Sequence, residues 1–191
     1  LDIDILISNA AIAESGSIAE LDIEKIRNNF EVNVFSNFKV VQIILKNMLK
    51  KKEGKIIMMS SLAGTIPIPF LGPYCSTKAS ISMLTRCLNL ELKLLKNNIK
   101  IVLIEPGLYK TGFNKLAFDK KYDFMDYNSY FKYQLELIRK SENLFLTLFE
   151  KKNLNSIVNK IVKAVINEDP KFIYRAPFSQ VIFSKIVSIL Q

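Results

Sequence analysis

Three short apolar runs do most to limit what this chain can become: Asp4-Ile5-Leu6-Ile7-Ser8, Lys55-Ile56-Ile57-Met58-Met59-Ser60 and Ile99-Lys100-Ile101-Val102-Leu103-Ile104-Glu105. They are short for helices and largely lack the polar alternation of a strand with one wet face. Runs of this kind suit parallel strands covered on both sides. The segments between them read as helices. Asp22 can cap a helix running to about Lys51, with Ile26, Phe30, Val34, Phe38, Val41, Leu45 and Leu49 on one apolar stripe and Gly54 as its terminator. A second helix is expected from Tyr74 to about Lys96. Strand and helix in strict alternation imply right-handed crossovers and an open α/β sheet.

Beyond the third run, 113–143 is aromatic-rich and irregular, with helical patches. Leu154 to Asn167 reads as an amphipathic helix, Lys171 to Arg175 as a last strand, and Phe178 to Leu190 as a further apolar helix. No repeat, low-complexity segment or linker interrupts 1–191, so a single domain is expected. The composition is globular, with 49% apolar residues in 191. The net charge of +9 raises the question of nucleic acid. The lysines are spread along helices, and Lys50-Lys51-Lys52 suits a helix C-terminus, so no nucleic-acid partner is expected. No apolar run approaches the ~20 residues of a membrane span.

The chain has no histidine, which excludes Ser-His-Asp and Cys-His catalysts. Cys75 and Cys87 are too few for a zinc site, and no metal is expected. Two thiols without a disulfide framework suggest core packing and a reducing, cytoplasmic setting.

Polar residues collect where the strands end, which is where open α/β sheets bind ligands. Asn9 follows the first strand, Ser60 and Ser61 the second, Thr111 the third, and Tyr74 opens the next helix. Tyr74 and Lys78 are four apart and share a helix face. A phenol is a poor base at neutral pH, with a pKa of about 10. A neighbouring ammonium favours the phenolate and suits it to proton transfer with a carbonyl or alcohol oxygen. A hydroxyl such as that of Ser61 can hydrogen-bond the same oxygen as charge develops. Taken alone, the Tyr-Lys pair is equally a surface pair, and Ser61 equally the cap of a turn.

In combination these residues resemble the short-chain dehydrogenase/reductase family. The matching motifs are Ser8-Asn9-Ala10-Ala11, Val32-Asn33-Val34, Ser60-Ser61-x-Ala63-Gly64, Tyr74-x-Ser76-x-Lys78 and Pro106-Gly107-x-x-x-Thr111, in family order, with Tyr74 thirteen positions after Ser61. The resemblance is strong to about Thr111 and looser beyond. It implies the C-terminal part of a Rossmann-type doubly wound parallel sheet, family strands four to seven in an order 3-2-1-4-5-6-7. Residues 1–111 would be the cofactor and catalytic part, and 112–191 the substrate wall and C-terminal part. It implies a hydride-transferring oxidoreductase of an alcohol and carbonyl pair, using NAD or NADP. By resemblance Tyr74 is the acid/base, and Lys78 lowers its pKa and holds the nicotinamide ribose. Ser61 binds the substrate oxygen, and Asn33 holds a water linking Lys78 to solvent. Asn9 and Ala10 approach the adenosine ribose, while Pro106, Gly107 and Thr111 run along the nicotinamide.

Two departures qualify this. Ala11 stands where the family has glycine. The glycine-rich strand-turn-helix that faces the pyrophosphate does not occur, and the first readable strand matches the family's fourth. The expectation is a chain that lacks the upstream cofactor half and is by itself poorly soluble and inactive, with Asp4–Ser8 as an exposed edge. Choice between NAD and NADP is unreadable. The aromatic 113–143 segment suggests an apolar, steroid- or retinol-like small-molecule substrate. The two long helices suggest a homo-dimeric or homo-tetrameric parent. A fold-retaining, non-catalytic binding protein is the alternative.

Overall fold

The three apolar runs are neighbours in one parallel sheet. The computed structural model describes residues 2–125 and 128–190. Asp126 and Tyr127, within the expected substrate wall, lie outside the described residues. Strands β1 (Ile5–Ser8), β2 (Glu53–Met59), β3 (Asn98–Pro106) and β4 (Ile173–Ala176) lie in the order β1-β2-β3-β4, every pair parallel. The register places Leu6 beside Ile56, Ile56 beside Ile101, and Leu103 beside Ile173. This is the Rossmann-type α/β arrangement expected of the last four family strands.

Side chains alternate faces along a strand, and both faces here are covered. Ile56, Met58, Ile99, Ile101 and Leu103 pack on one side with Val34, Val41, Leu45 and Met48 and with Ile81 and Leu92. Ile57, Val102 and Ile104 pack on the other with Ile157, Ala164 and Tyr174. Strand β1 pairs only with β2. Its Ile5 and Ile7 are 39% and 44% exposed, as expected of an edge. Among the described residues no helix is long and apolar enough to cross a membrane.

The first long helix is not the uniform one its periodicity suggests. It comprises α1 (Ile23–Phe30), capped by Asp22 through Glu24 N–H, a π-helical stretch at Glu31–Ser36, and α2 (Asn37–Lys51). Polar side chains serve the carbonyls of the widened turn. Ser36 Oγ donates to Glu31 O at 2.8 Å, and Asn37 Nδ2 lies 3.0 Å from Val32 O and 2.9 Å from Asn33 O. The expected terminator also differs. Lys52, at φ 62°, makes the left-handed cap, with its N–H on Met48 O. Gly54 already belongs to β2, pressed against Met48 where a Cβ would come within 2.5 Å of that side chain.

Helix α3 (Gly72–Lys93) starts two residues before Tyr74, with Pro73 in its first turn where a missing N–H costs nothing. It carries both cysteines. Cys75 is buried, but Cys87 is exposed, which corrects the expectation that both pack in the core. The 113–143 region is more regular than expected: α4 (Phe113–Asp119), a 3-10 turn at Lys120–Asp123, and α5 (Leu135–Phe149). Buried Lys121 ties that turn to α5 through Glu142 at 2.7 Å, whose other oxygen accepts from the Tyr122 hydroxyl. Helices α6 (Asn155–Ile166) and α7 (Phe178–Ile189) fall where the sequence places them.

The π-helical stretch fixes the loop after β1. Asn33 Oδ1 accepts from Ile12 N–H, and its Nδ2 donates to Ile12 O, both at 2.8 Å. Asn37 Nδ2 also reaches Ala10 O at 3.0 Å, and its Oδ1 accepts from Ser8 Oγ. Replacing Asn37 by Ala strands a buried hydroxyl and shared carbonyls. The expected loss is about 2–3 kcal/mol in urea denaturation. A loss below about 0.5 kcal/mol would show that Asn37 does not hold the loop.

Candidate active site

The carboxyl ends of the strands open into a cavity of about 510 Å³. Asn9 and Ala11 reach it from the loop after β1, Ser60 and Ser61 from the end of β2, and Pro106, Gly107 and Thr111 from the end of β3. Tyr74 and Lys78 face it from α3, while Phe118, Ile157 and Val158 supply apolar wall. Asn9 and Thr111 are exposed at its mouth. Two of the sequence-derived residues do not line it. The Ala10 carbonyl is turned to Asn37. Asn33 is 0% exposed, with its amide on Ile12 and on Thr77 Oγ1 at 3.0 Å.

Ser61 is extended, and its Oγ accepts from Ala63 N–H at 3.1 Å, capping the 3-10 turn at Leu62–Gly64. The hydroxyl itself donates to Pro106 O at 3.3 Å, and its nearness to the Tyr74 phenol favours the phenolate. The capping reading of Ser61 is thus the one its contacts show. The turn lies directly on α3, because a Cβ on Gly64 would come within 2.7 Å of the Lys78 backbone. Lys78 is 3% exposed, its Nζ donating to Met59 O at 3.0 Å and lying 5.6 Å from the Tyr74 ring centre. The Phe113 ring packs 5.6 Å from that of Tyr74 on its other approach.

Burial dominates the electrostatics. It pushes the Tyr74 phenol above its ordinary range, and the nearby Ser61 hydroxyl offsets only part of this. It also pushes the Lys78 ammonium down to about 8. The expected lowering of the phenol by the lysine is outweighed in the free protein, since both groups are removed from water.

The sequence profile described as short chain dehydrogenase matches residues 1–121. The chain belongs to this family. It is 38% identical over 113 residues to the NADPH-dependent 3-dehydrocapnine reductase of Ornithobacterium rhinotracheale, covering 57% of this chain and 39% of that protein. It is 35% identical over 115 residues to 17-beta-hydroxysteroid dehydrogenase 13 of Rattus norvegicus, covering 60% and 38%. The match thus spans about two fifths of each relative's length. The crystal structure of a short-chain dehydrogenase from Streptomyces avermitilis superposes with a TM-score of 0.74 at 20% identity, covering 95% of this chain and 63% of that one. At that identity the likeness is one of fold.

In this chain the site depends on residues that sequence reasoning missed. Asn37 carries no signal beyond a polar residue on a helix otherwise read for its apolar stripe. Gln180 of α7 is buried. Its Oε1 accepts from Leu108 N–H and its Nε2 donates to Phe149 O, both at 2.7 Å, which fixes the turn after β3. Glu105, fully buried, meets Arg175 and Ser82 Oγ at 3.1 Å. Ser82 is also 2.8 Å from Ser60 Oγ, which donates to the Lys78 carbonyl at 2.7 Å.

The Lys78 shift carries a stability consequence. Its ordinary value is 10.5 and the fold holds it near 8. Between those values the unfolded chain keeps a proton that the folded one has lost, so stability rises with pH across the window. Relative to Lys78→Met, the wild type should gain on the order of 2–3 kcal/mol between pH 7 and pH 10 in denaturant titrations. Parallel pH profiles for the two proteins would refute the assignment.

Proposed function

We propose that the protein is an oxidoreductase that interconverts an alcohol and a carbonyl compound with NAD or NADP, and that this chain holds its proton-transfer machinery. The observation that carries the reading is the convergence of Ser61, the Tyr74 phenol and Lys78 on one cavity at the strand ends. The residues fit a nucleotide cofactor. An ammonium has three donors, and the buried Lys78 Nζ has one hydrogen-bond acceptor among the described residues, Met59 O. The remaining donors suit the hydroxyls of a ribose. On this reading Asn9 borders the adenosine side, Ala10 serves only by anchoring that loop to Asn37, and Pro106, Gly107 and Thr111 border the nicotinamide. The bound cofactor supplies or accepts the hydride, which no side chain can do.

Tyr74 keeps its proton at neutral pH because burial opposes phenolate. That is the form able to protonate a carbonyl oxygen. Ser61 donates a hydrogen bond to the same oxygen as negative charge develops there. Lys78 stabilises the phenolate left behind. Asn33 acts as a positioning residue: it fixes the Ile12 loop and reaches Thr77, the residue before Lys78 on α3. The apolar wall of Leu71, Phe113, Phe118 and Ile157 supports an apolar small-molecule substrate. A relative named a hydroxysteroid dehydrogenase is in keeping with that class. Exposed apolar residues on α2 and α3, among them Val40, Ile43, Met83 and Leu90, support self-association through these helices.

The test is NADH or NADPH oxidation by the complete protein with a panel of apolar ketones. Tyr74→Phe should lower kcat/KM by roughly 10²–10⁴ while leaving cofactor binding in place. A Tyr74→Phe protein retaining half the wild-type turnover would remove Tyr74 from the acid/base role.

A further inference from the structure

The cavity at Ser61 continues into space that the proton chemistry does not use. Its wall at Ser61, Ala63, Ile68, Gly107 and Leu108 is shared with a narrow void of about 50 Å³. The far side of this throat is Phe145, Phe149 and Phe183. Beyond it, Ile66, Ile68, Phe145 and Phe183 are shared with a groove of about 370 Å³ between the 66–70 loop, α5 and α7. Cavity, throat and groove therefore lie in succession from Ser61, each sharing wall residues with the next.

Beyond the cavity, throat and groove offer an occupant mainly apolar surface. In the throat the Gln180 amide is engaged by Leu108 and Phe149, and Ser184 Oγ donates to Val181 O at 3.0 Å. In the groove the polar residues are Ser141, bonded to Ile138 O at 2.8 Å, and Glu142, held by Lys121 and Tyr122. Among the described residues no buried side-chain polar atom lacks a partner. A ligand segment lying here gains only by leaving water. The loop wall is held in an unfavourable conformation. Phe70 sits at φ 62°, rare for a bulky residue. Its carbonyl accepts from Gly16 N–H at 2.8 Å, and its ring meets Phe131 edge-on at 5.2 Å.

We propose that the groove holds the far end of the substrate, which is an extended, unbranched aliphatic ketone or alcohol with its oxygen at Ser61 and Tyr74. A void of only about 50 Å³ between cavity and groove suits a slender hydrocarbon chain better than a fused ring system. This rests on the oxidoreductase reading of Ser61 and Tyr74, and it narrows the steroid- or retinol-like expectation to a flexible chain.

Two measurements on the complete protein separate the claims. The first is KM for straight-chain ketones from 2-heptanone to 2-pentadecanone with the reduced cofactor. KM should fall by about fourfold per methylene, the equivalent of ~0.8 kcal/mol, until the groove is full. The second is binding of cis-parinaric acid, a fluorescent polyene chain, which needs no turnover. Val187→Trp and Ile66→Trp, which fill the groove from α7 and from the loop, should each weaken polyene binding and raise KM for 2-pentadecanone by about tenfold or more. Val187→Trp, which lies beyond the throat, should leave 2-heptanone unaffected. A KM independent of chain length, a rigid polycyclic ketone preferred over every chain, or polyene binding indifferent to both plugs overturns the proposal. If the polyene binds and the plugs weaken it while no ketone turns over, the groove stands and the oxidoreductase reading falls.

Discussion

The burial of β2 and β3 on both faces is the constraint from which the rest follows. Ile56, Ile57, Val102, Leu103 and Ile104 are wholly shielded from solvent. Their backbone groups are consumed by the parallel ladder, and their side chains are apolar on either side. A polar group within such strands must find a partner. Lys55, near the start of β2, donates to Val165 O at 2.6 Å and Asn167 O at 2.7 Å, and so caps the C-terminal end of α6. Glu105, near the end of β3, is met by Arg175 and lies 3.7 Å from Arg86. The other polar residues of the two strands, Glu53, Asn98 and Lys100, lie toward their amino ends, while the hydroxyls of Ser60 and Ser61 follow the carboxyl end of β2, where the cavity lies.

The sheet also sets where Tyr74 and Lys78 stand. Glu105, Ser82 and Ser60 form a buried polar chain that ends on the Lys78 carbonyl. Gly64 lets the turn after Ser61 touch the α3 backbone at the same point. A bulkier residue there would lift the turn from the helix and move the Ser61 hydroxyl away from the Tyr74 phenol. Because the helix is tied to the sheet by backbone and buried polar contacts, its first turn is positioned without direct support from the cavity.

The strands, their order and the Ser61, Tyr74 and Lys78 set were legible because each leaves a local mark: unbroken apolar runs, strand-end hydroxyls and a four-residue helical spacing. The π-helical stretch was not, since Val34, Phe38 and Val41 keep the same apolar period whether or not one turn is widened. Its cause lies in Ser36 and Asn37, whose targets five residues back look like any helix surface. Asn33 was legible only through family resemblance, and its contacts prove to be with the Ile12 loop rather than the cavity. Gln180 had no readable signal, because its partners Leu108 and Phe149 are remote in sequence. Helix α5 buries no residue fully, and the irregular aromatic-rich stretch before it obscured where it begins.

The opposed shifts of Tyr74 and Lys78 show what the site still needs electrostatically. Burial makes the phenolate and the ammonium costly together. Each would stabilise the other if both were charged, but among the described residues the Lys78 Nζ has only the Met59 carbonyl to replace its lost water. Additional hydrogen bonds to that ammonium, such as ribose hydroxyls could accept, would raise its pKa again. The positive charge, then held more firmly, would act on the neighbouring phenol across a medium from which water is excluded, where its influence is greatest. On the proposed reading, occupation of the cavity by the cofactor does more than place a hydride donor. It turns a buried, reluctant pair into one that can pass a proton.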